Sequence, residues 1–289
     1  MNASDSSSII IDAPAKLTLS LRVTGVREDG FHLIDAEMVT LDLVDKVRIT
    51  PNEDGLNFDG PFSGGISTDS DNLVSRALAL AGRRARVHVE KNIPSGGGLG
   101  GGSADAAAIL KWAGFTDLEA ASRLGADIPF CMIGGRARVR GIGEVIDTLP
   151  PVHREITLVI PPFGVSTPAV YRAWDELAKA GINTSDTPND LQQAALVVEP
   201  RLLEWQDKIA QACGQAPVLA GSGATWWLDG AFLELAKDLP KATVLVTQTR
   251  EADHRPRPAI MKLLAALVAG TTKLLLVLLF ALPLAAAFY

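Results

Sequence analysis

A glycine-rich stretch near the middle of the chain has the composition of an anion-binding loop. Residues 94–107 read PSGGGLGGGSADAA, with six glycines within seven positions. Each glycine costs roughly 1 kcal/mol relative to alanine inside a helix, so an ordinary helix does not begin this way. Successive backbone N–H groups of such a loop, followed by a helix N-terminus, can bind phosphate. The stretch therefore predicts a phosphate-binding loop.

Two common phosphate-binding motifs fit this loop poorly. Gly96, Gly98 and Gly101 match the G-x-G-x-x-G spacing of dinucleotide-binding proteins, and Asp117 follows at a suitable distance. That motif needs a strand running directly into the first glycine, whereas the segment KNIPS intervenes here. The Walker loop needs a lysine near its end, and this loop contains none. A flexible surface loop is the structural alternative, although flexible linkers rarely lead directly into an alanine-rich helix.

The composition excludes several classes of protein. The formal net charge is −6, without a basic excess, so no nucleic-acid partner is expected. The two cysteines lie far apart in the sequence, and the four histidines show no metal-ligand spacing. The first ten residues, MNASDSSSII, lack the positive and apolar regions of a secretion signal. We therefore expect a cytoplasmic protein.

The elements around the loop are strands and helices in mixed order. Four short segments before residue 50 have the apolar patterns of strands. Asp71 and Asn72 precede an Ala/Leu-rich segment that predicts a helix over 73–82. The glycine loop is expected to lead into a helix over 103–112, with Ser103 or the glycine before it near the N-cap.

The pattern changes beyond residue 150, after two successive prolines. A strand is predicted over 155–160, helices over 168–179 and 189–211, and short strands after them. This mixture indicates a second α+β lobe. The predicted domains are an N-terminal lobe over 8–150, a C-terminal lobe over 151–250 and an extension over 251–289.

Seven short motifs, in their order along the chain, resemble those of the GHMP kinases, the family of galactokinase, homoserine kinase and mevalonate kinase. They are APAKL at 13–17, GFH at 30–32, DNL at 71–73, PSGGGLGGGS at 94–103, LGADIP at 124–129, GIGE at 141–144 and GSGAT at 221–225. Together they are similar to the branch that phosphorylates the 2-hydroxyl of 4-diphosphocytidyl-2-C-methyl-D-erythritol in non-mevalonate isoprenoid biosynthesis.

The resemblance implies a kinase that uses ATP and Mg²⁺ to phosphorylate a small-molecule substrate. It also implies a two-lobed α+β fold, with a left-handed βαβ crossover in the N-terminal lobe and a ferredoxin-like C-terminal lobe. ATP and substrate would lie in the cleft between them. Two alternatives stay open: another alcohol kinase of the family, such as one acting on homoserine, and a nucleotide-binding protein that has lost catalysis.

The same resemblance assigns the catalytic roles. Lys16 would lower the pKa of the acceptor hydroxyl and balance developing charge, and Asp127 would accept the hydroxyl proton as general base. Without the resemblance, a lysine in an apolar strand is more often an edge residue with its ammonium in water. An aspartate shortly before a proline is usually a turn residue.

The remaining site residues divide between nucleotide and acceptor. Asn72 would face the adenine, or serve only as a helix cap, and Ser103 would hold a phosphate or its Mg²⁺. Phe31 and His32 stand at the positions of the cytosine-recognising pair, in which a ring stacks on the base and an imidazole bonds its polar edge. The predicted ATP-binding loop comprises Pro94, Ser95, Gly96, Gly97, Gly98, Leu99, Gly100, Gly101, Gly102, Ser103 and Ala104. Thr18, Gly221, Ser222 and Gly223 complete the predicted substrate side.

Three positions depart from the family pattern. Thr18 stands in place of asparagine, Phe31 in place of tyrosine, and Ala104 in place of the second serine of the loop. Thr18 puts one hydrogen bond to substrate or phosphate in doubt, and Phe31 lacks the hydroxyl of the usual tyrosine. None removes Lys16 or Asp127, so activity is expected.

The resemblance ends after Arg250. The stretch from Leu263 to Tyr289 contains one charge, Lys273, and is long enough to span a bilayer as a helix. Three explanations stay open: membrane association, a helix docked on a partner, and a non-native extension. The sequence does not indicate an oligomeric state.

Overall fold

The described part of the chain, residues 8–182 and 185–252 of this computed structural model, is a mixed α+β structure. The predictions for the apolar tail fall on residues 263–289, outside the described ranges. Within those ranges, none of the helices has the length and apolar character needed to cross a bilayer.

Two long antiparallel strands form the frame of the N-terminal part. Strand β1 covers Ile9–Val26 and strand β2 covers His32–Pro51, where four short strands were predicted. The pairing register of β1 with β2 shifts at three places, one of them between Pro14 and Lys16. Such bulges bend a strand without ending it, which is why the short segments merge.

Strand β2 also organises the rest of this sheet. The elements that follow are β3 (Leu56–Asp59), α1 (Leu73–Leu80), β4 (Ala85–Glu90), α2 (Gly101–Trp112), α3 (Leu118–Leu124), α4 (Ile128–Ile133), β5 (Arg136–Gly141) and β6 (Val145–Leu149). β2 pairs with β4 and β5, while β3 and β4 run parallel on either side of α1 in the chain. Some apolar side chains of β2, including Val47 and Ile49, are buried in one core with those of β4 and the alanines of α2, whose small side chains allow close packing.

The C-terminal elements form a split βαβ arrangement. They are β7 (Glu155–Ile160), α5 (Thr167–Lys179), α6 (Leu191–Val198), α7 (Arg201–Cys213), β8 (Val218–Leu219), β9 (Trp226–Asp229), α8 (Leu235–Asp238) and β10 (Thr243–Arg250). The strands are antiparallel in the order β10-β7-β9-β8, which is the ferredoxin-like order. β10 also pairs with β2, so the described strands join in one sheet. The division into lobes near residue 150 stays a prediction.

Two helix boundaries differ from those predicted, and one cap is confirmed. The single helix expected over 189–211 is two helices, because Pro200 lacks the N–H that a continuous helix needs. Helix α2 begins at Gly101 with Gly100 as N-cap at φ +70°, so neither of the two residues expected near the N-cap, Ser103 and the glycine before it, occupies that position. Asn72 caps α1 as expected, since its side chain accepts from the N–H of Val74.

Candidate active site

Lys16 lies buried where β1 leaves its regular pairing with β2. The bulge after Pro14 frees the backbone N–H of Lys16, which donates to the carbonyl of Leu99 in the glycine loop at 3.0 Å. The side chain is 6% exposed, and Nζ lies 3.3 Å from an Asp127 carboxylate oxygen and 3.2 Å from Thr18 Oγ1. The lysine is therefore not an edge residue with its ammonium in water.

Asp127 immediately precedes helix α4 and keeps its carboxylate available. It occupies the N-cap position, but its side chain makes no capping hydrogen bond and is 30% exposed. The preceding carbonyl, of Ala126, packs against Gly143, where a Cβ atom would lie 2.1 Å from that oxygen. The GIGE segment thus supports the backbone that carries Asp127. Its partly exposed carboxylate contacts the Lys16 ammonium, an arrangement that suits a proton acceptor.

The glycine loop borders a cavity of about 240 Å³. Its glycines at 96, 98 and 100 adopt positive φ, which only glycine takes without strain. The loop ends at the N-terminus of α2, so backbone N–H groups and the helix dipole are available to an anion. Residues 94–102, Asn72 and the apolar Phe58, Leu73 and Ile93 line the cavity. Ser103 and Ala104 lie beyond this lining, in the first turn of α2.

Asn72, expected to face the adenine, uses its side chain within the protein. Its oxygen caps α1 through Val74, and its nitrogen donates to the carbonyl of Ser67 at 2.7 Å. It nevertheless lines the cavity, so capping and nucleotide contact are compatible.

A buried ionic cluster of Asp45, Lys91 and Asp105 lies where the glycine loop begins and ends. Lys91 binds Asp45 and also Asp105, at 2.6 Å, with all three side chains at most 3% exposed. Asp45 also accepts the N–H groups of Asn92 and Ile93, which lead into the loop. Lys91 precedes the loop and Asp105 follows it, so the cluster joins both ends of the loop to β2.

Burial and the charge of Asp45 raise the pKa of Asp105 to about 7, although the Lys91 ammonium opposes the shift. The other Asp105 oxygen, Oδ1, has no hydrogen-bond partner among the described residues. The folded protein thus retains a proton that the unfolded chain releases at a lower pH. The stability contributed by this group is complete below pH 4 and is lost as the pH rises through about 7.

His32 lies beside helix α5, and Phe31 precedes it in the chain. Phe31 is 56% exposed, and the Arg27 guanidinium lies over its ring, 5.5 Å from the ring centre. His32 Nε2 lies 2.7 Å from an Asp175 carboxylate oxygen. Because an ionised carboxylate only accepts, Nε2 carries a proton, and in the neutral ring Nδ1 is the acceptor.

Two aromatic side chains of α5, Tyr171 and Trp174, pack around His32, and we call these residues, with the neighbouring Phe31, the aromatic cluster. The His32 ring lies 4.6 Å from the Tyr171 ring and 5.7 Å, edge-on, from that of Trp174, measured between ring centres. Burial, with a smaller contribution from the charge of Asp127, raises the pKa of Tyr171 to about 12. The tyrosine therefore remains a neutral phenol near Asp127.

The glycine turn, residues 221–223, contacts both Lys16 and the glycine loop. A Cβ atom at Gly221 would lie 3.8 Å from both Lys16 Nζ and Thr18 Oγ1. A Cβ atom at Gly98 would lie only 2.4 Å from the carbonyl oxygen of Ala220. Ser222 also bonds Thr167 at the start of α5 through their hydroxyls, 2.7 Å apart. The turn thus joins the loop, the lysine and the helix of the aromatic cluster.

The structure brings predicted site residues from distant parts of the sequence together beside the glycine loop. Lys16, Thr18, Asp127 and Gly221 meet beside Gly100, although 205 positions separate Lys16 from Gly221 in the numbering. Residues that the motifs did not include are Lys91, Tyr171, Trp174, Asp175 and Asn189. The spacing of the three α5 residues, i, i+3 and i+4, places them on one helix face and could have indicated a shared site.

Comparison with known proteins shows that this chain is similar to kinases. Residues 72–135 match the model for the GHMP kinases N terminal domain. The 4-diphosphocytidyl-2-C-methyl-D-erythritol kinase of Paracoccus denitrificans is 41% identical over 246 residues, which are 78% of this chain and 87% of the relative. The protein of the same name from Ruegeria pomeroyi is 37% identical over 238 residues, covering 74% and 85%.

Solved structures agree with these relatives. A crystal structure of 4-(cytidine 5'-diphospho)-2C-methyl-D-erythritol kinase aligns with a TM-score of 0.65 at 29% identity, covering 83% of this chain and 99% of that one. A homoserine kinase from Cytophaga hutchinsonii aligns with a TM-score of 0.53 at 16% identity, covering 87% and 97%, which is a similarity of fold alone.

Proposed function

The chain belongs to the 4-diphosphocytidyl-2-C-methyl-D-erythritol kinase family of GHMP kinases, and we propose how its residues perform phosphoryl transfer. It is an ATP-dependent phosphotransferase of isoprenoid precursor biosynthesis, with this cytidyl alcohol as acceptor. The observation that carries the proposed mechanism is the Lys16–Asp127 pair, 3.3 Å apart beside the glycine loop. Neither the homoserine kinase alternative nor a loss of catalysis is favoured.

The reaction moves one proton and one phosphoryl group. The 2-hydroxyl of the acceptor gives its proton to Asp127 while its oxygen attacks the γ-phosphorus, and the bond from phosphorus to the bridging oxygen of ADP breaks. Lys16 stabilises the negative charge that develops on the attacking oxygen and the transferred group. Its burial strengthens this attraction because little water screens the ammonium.

The phosphates of ATP bind the glycine loop and the N-terminus of α2, and the base occupies the cavity beside Asn72. Mg²⁺ bound with the nucleotide would neutralise part of the phosphate charge. Ser103, in the first turn of α2, would offer its hydroxyl oxygen, a kind of ligand that Mg²⁺ prefers, which leaves Asp127 to accept the proton. Among the described residues, no group of three or more His, Cys, Asp or Glu side chains could hold a metal ion, so the ion would be held mainly by the nucleotide, with Ser103 beside it.

The cytidyl group would lie against the aromatic cluster. The exposed Phe31 ring stacks on cytosine without needing the hydroxyl of a tyrosine. His32, oriented by Asp175, presents Nδ1 as acceptor for the exocyclic amino group of the base. Thr18 compensates in part for the missing asparagine, because its hydroxyl accepts a hydrogen bond from Lys16. Ala104 is buried in α2 and leaves the loop backbone to bind phosphate.

A coupled ADP-release assay tests this function. Three reactions contain the cytidyl alcohol, homoserine and no acceptor, each with Mg-ATP. Rapid ADP release is expected only with the cytidyl alcohol, and phosphorus NMR should show a new phosphate monoester on its 2-oxygen. Equal rates with homoserine, or without any acceptor, would overturn the substrate assignment.

A further inference from the structure

Asn189 is a buried side chain that the motifs of the site do not include. It is 1% exposed and precedes α6. Its amide nitrogen donates to the carbonyl of Leu219 at 2.9 Å and to that of Gly221 at 2.7 Å. Its amide oxygen accepts from the N–H of Leu191 at 3.0 Å. Both donors of the amide are therefore directed at the backbone entering the glycine turn.

The residues on either side of Asn189 hold it against β1. The N–H of Leu21 donates to the carbonyl of Pro188 at 2.9 Å, and the N–H of Asp190 donates to the carbonyl of Leu21 at 3.0 Å. The Asp190 carboxylate accepts from the Arg22 guanidinium at 2.6 Å and from the N–H of Val23 at 2.9 Å. Asn189 is thus fixed to the strand that carries Lys16.

The glycine turn needs such support because its glycine backbone can adopt many conformations. Gly221 and Gly223 have φ of +58° and +94°, conformations in which glycine retains much freedom. The turn nevertheless lies in contact with Lys16 and with Gly98 of the glycine loop. A small displacement of the turn would change the space around the ammonium and the phosphates.

We propose that Asn189 is a positioning residue for phosphoryl transfer. It joins the glycine turn to β1, so that the turn, Lys16 and the glycine loop keep one relative arrangement during catalysis. This inference rests on the proposed role of Lys16, and it extends that role to a residue that touches neither nucleotide nor acceptor.

Asn189→Asp tests the two donor bonds in the full-length chain. The variant keeps the shape and the acceptor for Leu191, but it directs an oxygen at two carbonyl oxygens. Gln192→Leu is the matched control, because Gln192 is buried nearby and accepts from the N–H of Leu219 without touching Gly221. Both variants are expected to melt at lower temperature. Only Asn189→Asp should lower kcat at 25 °C, by roughly 10- to 100-fold, as misplaced reacting groups do.

A double-mutant cycle with Gly221→Ala adds a measurement that a general loss of stability would not change. If Asn189 acts through the turn, the two kcat factors should combine to much less than their product. Wild-type kcat in folded Asn189→Asp, or fully multiplicative factors, would overturn the proposal. If Asn189→Asp does not fold, Asn189→Ser, which retains one hydroxyl donor, takes its place under the same criteria.

Failure of this inference can be distinguished from failure of the proposed function. Lys16→Met, measured in parallel, should lose most of kcat whatever Asn189 does. An active Lys16→Met would refute the mechanism itself, whereas an inactive Lys16→Met with fully active Asn189→Asp would refute only the positioning role.

Discussion

Gly100→Ala is expected to impair catalysis far more than it destabilises the fold. Gly100 has φ +70°, and an alanine in this left-handed conformation costs about 1–2 kcal/mol. The added Cβ would lie 2.8 Å from Lys16 Cγ and 3.3 Å from Cε. Because carbon atoms prefer separations of about 3.5–4.0 Å, the lysine stem must move by roughly 1 Å.

That displacement acts directly on Lys16 and Asp127, the proposed catalytic pair. Lys16 Nζ lies 3.3 Å from Asp127 and 3.2 Å from Thr18, so a shifted stem misplaces the ammonium relative to both. A misplacement of about 1 Å can cost roughly 100-fold in rate, and we expect a loss of kcat of this order. Steady-state kcat from coupled ADP release and thermal melting should be measured on the same preparations.

Gly114→Ala provides the control for backbone strain. Gly114 follows the other end of α2 at φ +73°, and a Cβ there meets no atom within 4 Å. It should lose a similar free energy of unfolding, lowering Tm by roughly 2–8 °C, while kcat stays at the wild-type value. If the two variants lowered kcat equally, contact with Lys16 would not be the cause and the reasoning would be refuted.

Three further results are expected. Lys91→Met should lower the free energy of unfolding by roughly 3–5 kcal/mol in urea titrations, because Asp45 and Asp105 lose their buried counter-ion; a loss below about 1 kcal/mol would contradict this. Asp105→Asn should flatten the decline in stability between pH 4 and pH 7, because the wild type holds a proton there that its unfolded chain releases; parallel pH profiles in chemical denaturation would exclude this role. Phe31→Ala should raise the KM for the cytidyl acceptor roughly 5- to 100-fold and leave the KM for ATP unchanged, given the energy of base stacking; equal changes in both constants would argue against base recognition.

Local chemistry made part of the site predictable from sequence. The glycine loop and the cap at Asn72 depend on backbone preferences of a few neighbouring residues, so their patterns are visible in the chain itself. The boundary at Pro200 was missed although its cause is local, because the apolar period continues on both sides of the proline.

Contacts between distant segments were not predictable in the same way. Asp45, Lys91 and Asp105 form one cluster only because β2, the end of β4 and α2 pack together. Asn189 reaches Gly221 across 32 positions, and no spacing rule connects an asparagine to a turn that far away. Spacing likewise gave no distance between Lys16 and Asp127, whose pairing depends on the bulge in β1 and on the uncapped start of α4.

The central claim, that Asp127 accepts the proton of the acceptor hydroxyl beside Lys16, is tested most directly by Asp127→Asn. The variant keeps the shape of the side chain but removes the proton acceptor. Single-turnover phosphoryl transfer should slow by roughly 10²- to 10⁴-fold, the range of general base catalysis, while calorimetric Kd values for ATP and acceptor change little. An Asp127→Asn enzyme with a lowered melting temperature and the wild-type rate would instead mark Asp127 as a structural residue and contradict the mechanism.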